Sequence, residues 1–250
     1  MSLVLHCGAR RAERDEVFGI PTPESTSTHH PISHQFFIES IEEAILDAEY
    51  AIQECAHALD NNGDKYFGLF GIEPQLNKND TLNDDSAMIL GARHSHNKSL
   101  SVGICVGRKV FVCDNLAFSG EIKFFRKHTK DVESDLQIKL ESALDKLPMF
   151  EDKHRDLMKI FRSREISNEK ARDLIIEGGK RSVIPGSKLM NVVKEWEKPS
   201  YKEFEADGMS LYRLHNAFTT VLKNSNKNVF AIPERTMSLN DMLKESVMAA

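Results

Sequence analysis

Two histidines two positions apart have the types and spacing in this sequence that come nearest to a metal site. His94 and His96 flank Ser95, and side chains at i and i+2 of a β-strand point to the same face. Imidazole nitrogens are common ligands of zinc and other transition metals, and Cys113 could add a soft third ligand. No acidic residue or further histidine follows at ligand spacing. The sequence therefore favours a polar turn at this position, and it predicts no cofactor.

Cys113 could also act as a nucleophile, within Cys113-Asp114-Asn115. A reactive cysteine needs a neighbouring base or an electropositive setting, and no local Cys–His pair provides one. We therefore interpret Cys113 as a small buried hydrophobe. No nucleophile elbow, paired carboxylate or phosphate loop stands out. An enzyme with an unrecognised site is therefore the third functional hypothesis, after the two binding functions described below.

The most suggestive chemistry lies in a basic and aromatic segment near the middle of the chain. Residues 121–130 hold four lysines and arginines and one glutamate, whereas the whole chain carries a net charge of −5. Cations on a strand can neutralise phosphates while aromatic rings stack on bases. Alternatively, Phe124 faces the core, Phe125 lies under a helix and the cations are solvated. The candidate nucleic-acid-binding residues are Arg108, Lys109, Lys123, Phe125, Arg126, Lys127, His128 and Lys130.

A sheet is needed to position these residues. Short apolar runs predict strands over residues 65–72, 87–93, 99–106, 109–113 and 118–126. Gly107-Arg108 separates two of them and is typical of a two-residue hairpin turn. Ser101, Gly103 and Cys105 would share one face, where a helix could pack closely.

Helical periodicity flanks this region on both sides. Apolar residues from Phe37 to Leu59 recur every three or four positions and predict one helix of about six turns, ended by Asn61-Asn62-Gly63. Candidate helices in the second half cover residues 132–147, 150–161, 168–177, 187–197, 209–224 and 238–247, with Asn168 as an N-cap. The fold class is therefore α+β, with an antiparallel sheet of four to five strands packed on a long helix and a mostly helical C-terminal half.

The same patterns predict three regions. Residues 1–36 form an extended arm, residues 37–130 an α+β core, and residues 131–250 a helical region that is either separate from the core or continuous with it. His29, His30 and His34 lie in the polar, proline-rich arm, where we expect exposed loop positions. An arm of this kind often packs on a second copy, so a homo-oligomer is expected.

Composition restricts the cellular setting. Hydrophobic residues make up 40% and charged residues 28% of the 250 residues, as in ordinary globular proteins. Four cysteines without a CxxC pair indicate reduced thiols in a cytoplasm. No apolar stretch approaches the length of a membrane span, and the N-terminus is unlike a signal peptide. We therefore expect a cytoplasmic protein with no membrane partner.

Several short elements carry a family resemblance. They are Ser95-His96-Asn97-Lys98-Ser99, Val112-Cys113-Asp114-Asn115, Phe118-Ser119-Gly120, His128-Thr129 and, more weakly, Leu211 to Thr220. Together they comprise 24 of the 250 residues. This pattern resembles the uncharacterised phage/plasmid-like protein family, domain-of-unknown-function family 932. The resemblance implies an origin in a mobile genetic element and a bacterial host, and it implies no established activity.

Two binding functions follow as expectations. The first is a mobile-element accessory protein that binds DNA or RNA, single strands by preference, through the basic and aromatic strand. The second is an anti-defence or host-modulating protein that binds a host protein. The local basic segment favours the first, and the net acidity of the chain favours the second.

Overall fold

The computed structural model describes residues 10–75, 86–110, 115–225 and 231–248. At positions 86, 109, 110, 115–123, 224, 225 and 233 it describes the backbone alone. The predictions about Cys113, and most of the Val112–Asn115 element, lie outside these residues.

The sheet confirms the antiparallel arrangement. In the described ranges it has six strands, which lie side by side in chain order. They are β1 (Arg10–Ala12), β2 (Tyr50–Leu59), β3 (Lys65–Pro74), β4 (Ser86–Ser95), β5 (Val102–Val110) and β6 (Asn115–Arg126). Every neighbouring pair is antiparallel. The short β1 belongs to the predicted arm and extends the edge of the sheet, beyond the four to five strands expected.

The predicted long helix is wrong beyond Asp47. Helix α2 spans His34–Asp47, and the chain then reverses at Glu49, whose φ is +61°, before entering β2. The apolar spacing of residues 50–59 fits a helix locally, but as a strand this segment pairs with both β1 and β3. Because these backbone hydrogen bonds come from other segments, strand pairing overrides the local helical pattern. The Asn61–Gly63 segment, taken as a helix end, instead turns β2 into β3.

The predicted hairpin turn at Gly107-Arg108 is also wrong. Strand β5 continues through both residues, with Gly107 opposite Ile89 of β4 and Phe118 of β6. Its pairing with β6 shifts register between Cys105 and Gly107. An isolated glycine within a strand often marks a bulge, and here it does so in place of a turn.

The helices fill the C-terminal half, as predicted. After α1 (Arg14–Phe18) and α2, they are α3 (Val132–Leu144), α4 (Leu147–Ser163), α5 (Asn168–Lys180), α6 (Leu189–Glu197), α7 (Glu203–Ala206), α8 (Leu211–Ser225) and α9 (Ile232–Met248). The N-cap of α5 is Ser167, whose hydroxyl accepts a hydrogen bond from the Lys170 amide. Asn168 instead accepts a hydrogen bond from the Trp196 indole at 2.9 Å.

Helices cover both faces of the sheet. Phe37 and Ile41 of α2, with Leu136 of α3, pack on the face that carries Tyr66 and Phe70. Alternate residues face the other way. There Cys105 packs in a cluster with Ile232 and Met237 of α9. The face predicted to carry small residues therefore packs against α9 and not against α2. A separate core around Phe161, Trp196 and Phe218 stabilises the helical half. In the described part of the chain, no helix has the length and apolarity to cross a membrane.

Candidate functional site

Five buried histidines meet where the N-terminal arm crosses one end of the sheet. They are His29 in the arm, His34 at the start of α2, His94 in β4, His96 just after β4 and His128 just after β6. The expectation that His29 and His34 occupy exposed loop positions is wrong. Their exposed fractions are 6% and 0%.

Local structure places each ring. Ser33 caps α2 by accepting a hydrogen bond from the Phe36 amide at 3.0 Å, and this fixes His34 on the first turn. Strand β4 ends at Ser95, whose hydroxyl accepts a hydrogen bond from the Leu100 amide at 2.8 Å. The arm is attached to the neighbouring segment, since the His30 amide donates to the His128 carbonyl at 3.0 Å.

Three of the rings form a tight group. The His34 ring stacks on the His96 ring with centroids 4.1 Å apart and an angle of 9° between the planes. His34 Nδ1 lies 2.7 Å from His94 Nε2. One ring nitrogen from each of the three residues lies within 4.8 Å of the others. The ring nitrogens of His94 and His96 are therefore joined by a third, from His34 at the end of the arm.

Backbone carbonyls determine the protonation of two rings. His34 Nε2 lies 2.9 Å from the Gly63 carbonyl oxygen, and His96 Nε2 lies 3.0 Å from the Ile32 carbonyl oxygen. A carbonyl oxygen only accepts hydrogen bonds, so both Nε2 atoms carry the proton and donate. In the neutral rings both Nδ1 atoms are therefore bare. His94 Nε2 then donates to the Nδ1 lone pair of His34.

The cluster favours neutral imidazole. Burial, with a contribution from the His96 ring, lowers the pKa of His34 to about 4. Burial and the His29 ring likewise lower the pKa of His128 to about 4. Burial also lowers the pKa of His96, and it lowers the pKa of His94 well below the ordinary value. Neutral imidazole is the form that binds metals.

Several polar atoms of the cluster lack a hydrogen-bond partner within the described ranges. They are His94 Nδ1, both ring nitrogens of His128 and the Thr129 hydroxyl, and all are buried. An unpaired buried polar group destabilises a fold by about 1–3 kcal/mol. Such groups in a native structure often mark a site for water, an ion or a ligand.

A cavity of about 220 Å³ adjoins the cluster. Its lining residues are Thr28, His29, Lys98, Leu100, Ser101, Lys127, His128 and Thr129. The His128 ring is shared by cavity and cluster, with its centroid 5.6 Å from that of His94. Lys98 and Lys127 are exposed and have no ion pair among the described residues. Two cations and three hydroxyl side chains around one cavity are suited to an anion.

The predicted nucleic-acid residues are split between different environments. Lys127 and His128 line the cavity, and Lys130 is exposed nearby in sequence. Arg108 is 5% exposed and lies 3.6 Å from the Glu151 carboxylate of α4.

Two further members of the set have partners of their own. Arg126 Nε lies 2.6 Å from an Asp135 carboxylate oxygen of α3. Phe125 is 42% exposed, and the Arg93 guanidinium lies 5.3 Å from its ring centroid. The side chains of Lys109 and Lys123 lie outside those described. Of the predicted residues, Lys127 and His128 therefore meet at the cavity, whereas Arg108 and Arg126 lie beside acidic partners.

Sequence reasoning missed His29, His34, Lys98 and Thr28 as site residues. One signal was present, because three of the ten histidines lie within residues 29–34. Nothing in the local pattern indicates that this arm reaches the end of β4.

Comparisons of the chain with protein-family models, curated proteins and solved structures found no match. The resemblance to the phage/plasmid-like family therefore stays a prediction. Fold and site together define an α+β protein with a buried histidine cluster beside a basic cavity.

Proposed function

We propose that this protein binds nucleic acid, single strands by preference, with backbone phosphate seated in the basic cavity. The observation that carries this proposal is the convergence of Lys98 and Lys127 on one cavity. The two lysines come from different loops, and neither has an ion pair in the part of the chain that is described. Lysines in this state are available to replace the counterions of a phosphate backbone.

The size of the cavity supports a polymeric ligand. At about 220 Å³ it is smaller than the 300–1,000 Å³ or so of typical small-molecule pockets. It could accept a phosphate with part of its sugar while the rest of the strand stays outside. Phe125, 42% exposed and two residues before Lys127, keeps part of its ring available for an unpaired base. Lys130 adds a further exposed cation.

The family resemblance supports the biological setting of this proposal. In that setting the protein is an accessory factor of a phage or plasmid and acts on DNA or RNA in the cytoplasm of a bacterial host. The predicted homo-oligomer would present more than one cavity to the same strand.

A charge-reversal pair tests the proposal. Lys98→Glu with Lys127→Glu should weaken binding of a labelled single strand at least tenfold, because two phosphate contacts become repulsive. It should also make the salt dependence of log K shallower by about 1.4, or roughly 0.7 per phosphate contact on a single strand. Fluorescence anisotropy over a range of salt concentrations measures both effects.

The matched control is Lys139→Glu with Lys153→Glu. These lysines of α3 and α4 are exposed, and the double change alters the net charge equally. Wild-type affinity for both single strands and duplex too weak to measure would overturn the proposal, and so would equal effects of the two double variants. Recovery of one stoichiometric host protein from nuclease-treated extract, without nucleic acid, would favour the host-modulating alternative.

A further inference from the structure

We infer that His34, His94 and His96 form a binding site for a divalent transition metal, with zinc as the preferred ion. This site goes beyond the proposed nucleic-acid function and does not depend on it. The inference is carried by three buried ring nitrogens within 4.8 Å of one another.

The spacing is close to what a tetrahedral ion needs. Zinc–nitrogen bonds are about 2.0–2.1 Å long, so two ligands of a tetrahedral centre lie about 3.4 Å apart. His34 Nδ1 and His94 Nε2 are 2.7 Å apart as a hydrogen-bonded pair. Separation of these two rings by less than about 1 Å would open the position for the ion.

The surroundings already set the tautomer of two of the ligands. Metal-binding histidines usually donate their second ring N–H to a carbonyl or carboxylate. His34 and His96 do so, to Gly63 and Ile32 respectively. Their Nδ1 atoms therefore carry lone pairs, and that of His34 accepts the hydrogen bond from His94 Nε2 until an ion displaces it. Because the His34 and His96 rings are stacked nearly parallel, one of them must also tilt before both lone pairs can reach the same ion.

His94 needs one rearrangement of its proton. Its Nε2 now donates to His34, and its Nδ1 is buried without a partner among the described residues. When Nε2 binds the ion, the proton moves to Nδ1, so the ring stays neutral and no proton is released. A purely structural hydrogen-bonded cluster gives no reason for the unpaired Nδ1.

The donor set selects the class of metal. Three imidazoles suit zinc and the neighbouring transition metals, whereas magnesium and calcium require oxygen ligands. The acidic side chains of Asp60 and Asp64 lie near enough to raise the pKa of His34 and His96 against the effect of burial, and they provide negative charge close to the ion. A fourth position would remain for water or for His128, whose two ring nitrogens have no hydrogen-bond partner among the residues that the structure describes.

Metal titration tests the site directly. Chelator-stripped wild-type protein should bind about one equivalent of Zn²⁺ in calorimetry, and Co²⁺ should give the visible absorption bands of a tetrahedral centre. Zinc at a free concentration of about a hundred times Kd should raise the melting temperature by roughly 5–10 °C.

His34→Gln and His96→Gln are the informative variants. In each, the glutamine amide can keep the hydrogen bond to the backbone carbonyl while the Nδ1 ligand is lost. Each should weaken zinc binding at least tenfold, as loss of one ligand does. His215→Gln is the matched control, because His215 is also buried and its Nε2 bonds the Asn240 side-chain oxygen at 3.2 Å. The control should bind zinc as the wild type does.

Absence of stoichiometric Zn²⁺ and Co²⁺ binding by the stripped wild type would overturn the inference, and this result does not depend on the folding of any variant. Unchanged zinc affinity in both His34→Gln and His96→Gln would overturn it as well. The protein with Lys98→Glu and Lys127→Glu should keep its zinc site, so the metal site and the nucleic-acid function can fail separately.

Discussion

Arg213 of α8 offers the sharpest test of how the helical half is held together. Its Nε donates to the Trp196 carbonyl at 2.9 Å, its Nη2 to the Glu197 carbonyl at 3.1 Å and its Nη1 to the Gly208 carbonyl at 3.4 Å. Helix α6 ends at Glu197, so the first two carbonyls have no partner within the helix. Arg213→Met should remove this clamp between α8 and the end of α6.

The expected loss follows from the geometry. Hydrogen bonds from a charged group contribute about 1.5–3 kcal/mol each. The two shorter ones dominate, and methionine keeps much of the apolar stem. Water can reach the partly buried Glu197 carbonyl and recover part of its hydrogen bonding. We therefore expect the free energy of unfolding to fall by about 3 kcal/mol, which lowers the melting temperature by roughly 6–12 °C at this chain length.

Urea unfolding followed by far-UV circular dichroism measures this change, and Trp196, the single tryptophan, gives a second probe inside the helical core. Arg172→Met is the matched control. Arg172 also contacts Glu197, but through an ion pair at 3.4 Å with its own side chain 59% exposed, so its loss should be below about 0.5 kcal/mol. If Arg213→Met destabilises the protein no more than Arg172→Met does, the clamp is not a stabilising feature.

Two further outcomes follow from buried groups. Burial lowers the pKa of His215 to about 4, whereas the unfolded chain takes up this proton near pH 6.5. The contribution of the neutral ring to stability is therefore present above about pH 6.5 and lost as the pH falls towards 4. At about pH 5 the free energy of unfolding should be about 2 kcal/mol lower because of this residue. His215→Gln should make the free energy of unfolding less dependent on pH. A wild type that is equally stable at about pH 5 and pH 7 would contradict this prediction. A Cβ on Gly178 would lie 2.7 Å from the buried Phe218 ring, whereas one on Gly179 would meet the end of the Leu189 side chain at 3.1 Å. Gly178→Ala should therefore destabilise α5 by about 1 kcal/mol, whereas Gly179→Ala should be neutral or stabilising. Equal melting temperatures for the two variants would contradict the close packing of Gly178 against Phe218.

The fold class was predictable because local patterns determine most of the elements. Short apolar runs mark β4 and β6, and helical periodicity marks the C-terminal half. The prediction failed where one pattern fits two structures. Ala51, Ile52, Cys55, Ala58 and Leu59 match helical spacing, yet they form a strand because β1 and β3 supply its backbone hydrogen bonds. β1 is distant in sequence and β3 lies across a hairpin turn, so neither pairing leaves a periodicity within residues 50–59.

The sequence predicted only those parts of the site that lie in local motifs. The His94 and His96 pair is visible as a strand motif, and Lys127 and His128 are visible as part of a basic segment. His34 joins His94 from 60 residues away. The polar arm looked exposed because its proline and hydroxyl content is typical of loops. It is buried in part because His29 donates to the His96 carbonyl and His96 donates to the Ile32 carbonyl, so its polar groups find partners inside the protein.

The cluster and the cavity share a wall, and this makes the arm the element that completes both sites. His29 lines the cavity and donates to the carbonyl of His96. Five residues later His34 supplies the third ring of the cluster. An ion at the three rings would therefore hold the arm against β4 and keep Thr28 and His29 at the cavity. His94 and His96 do not line the cavity, and neither lysine is a metal ligand, so charge reversal at the cavity leaves the ligands intact. Metal binding and anion binding would therefore be coupled through the position of the arm, because the two sites share no ligand residue.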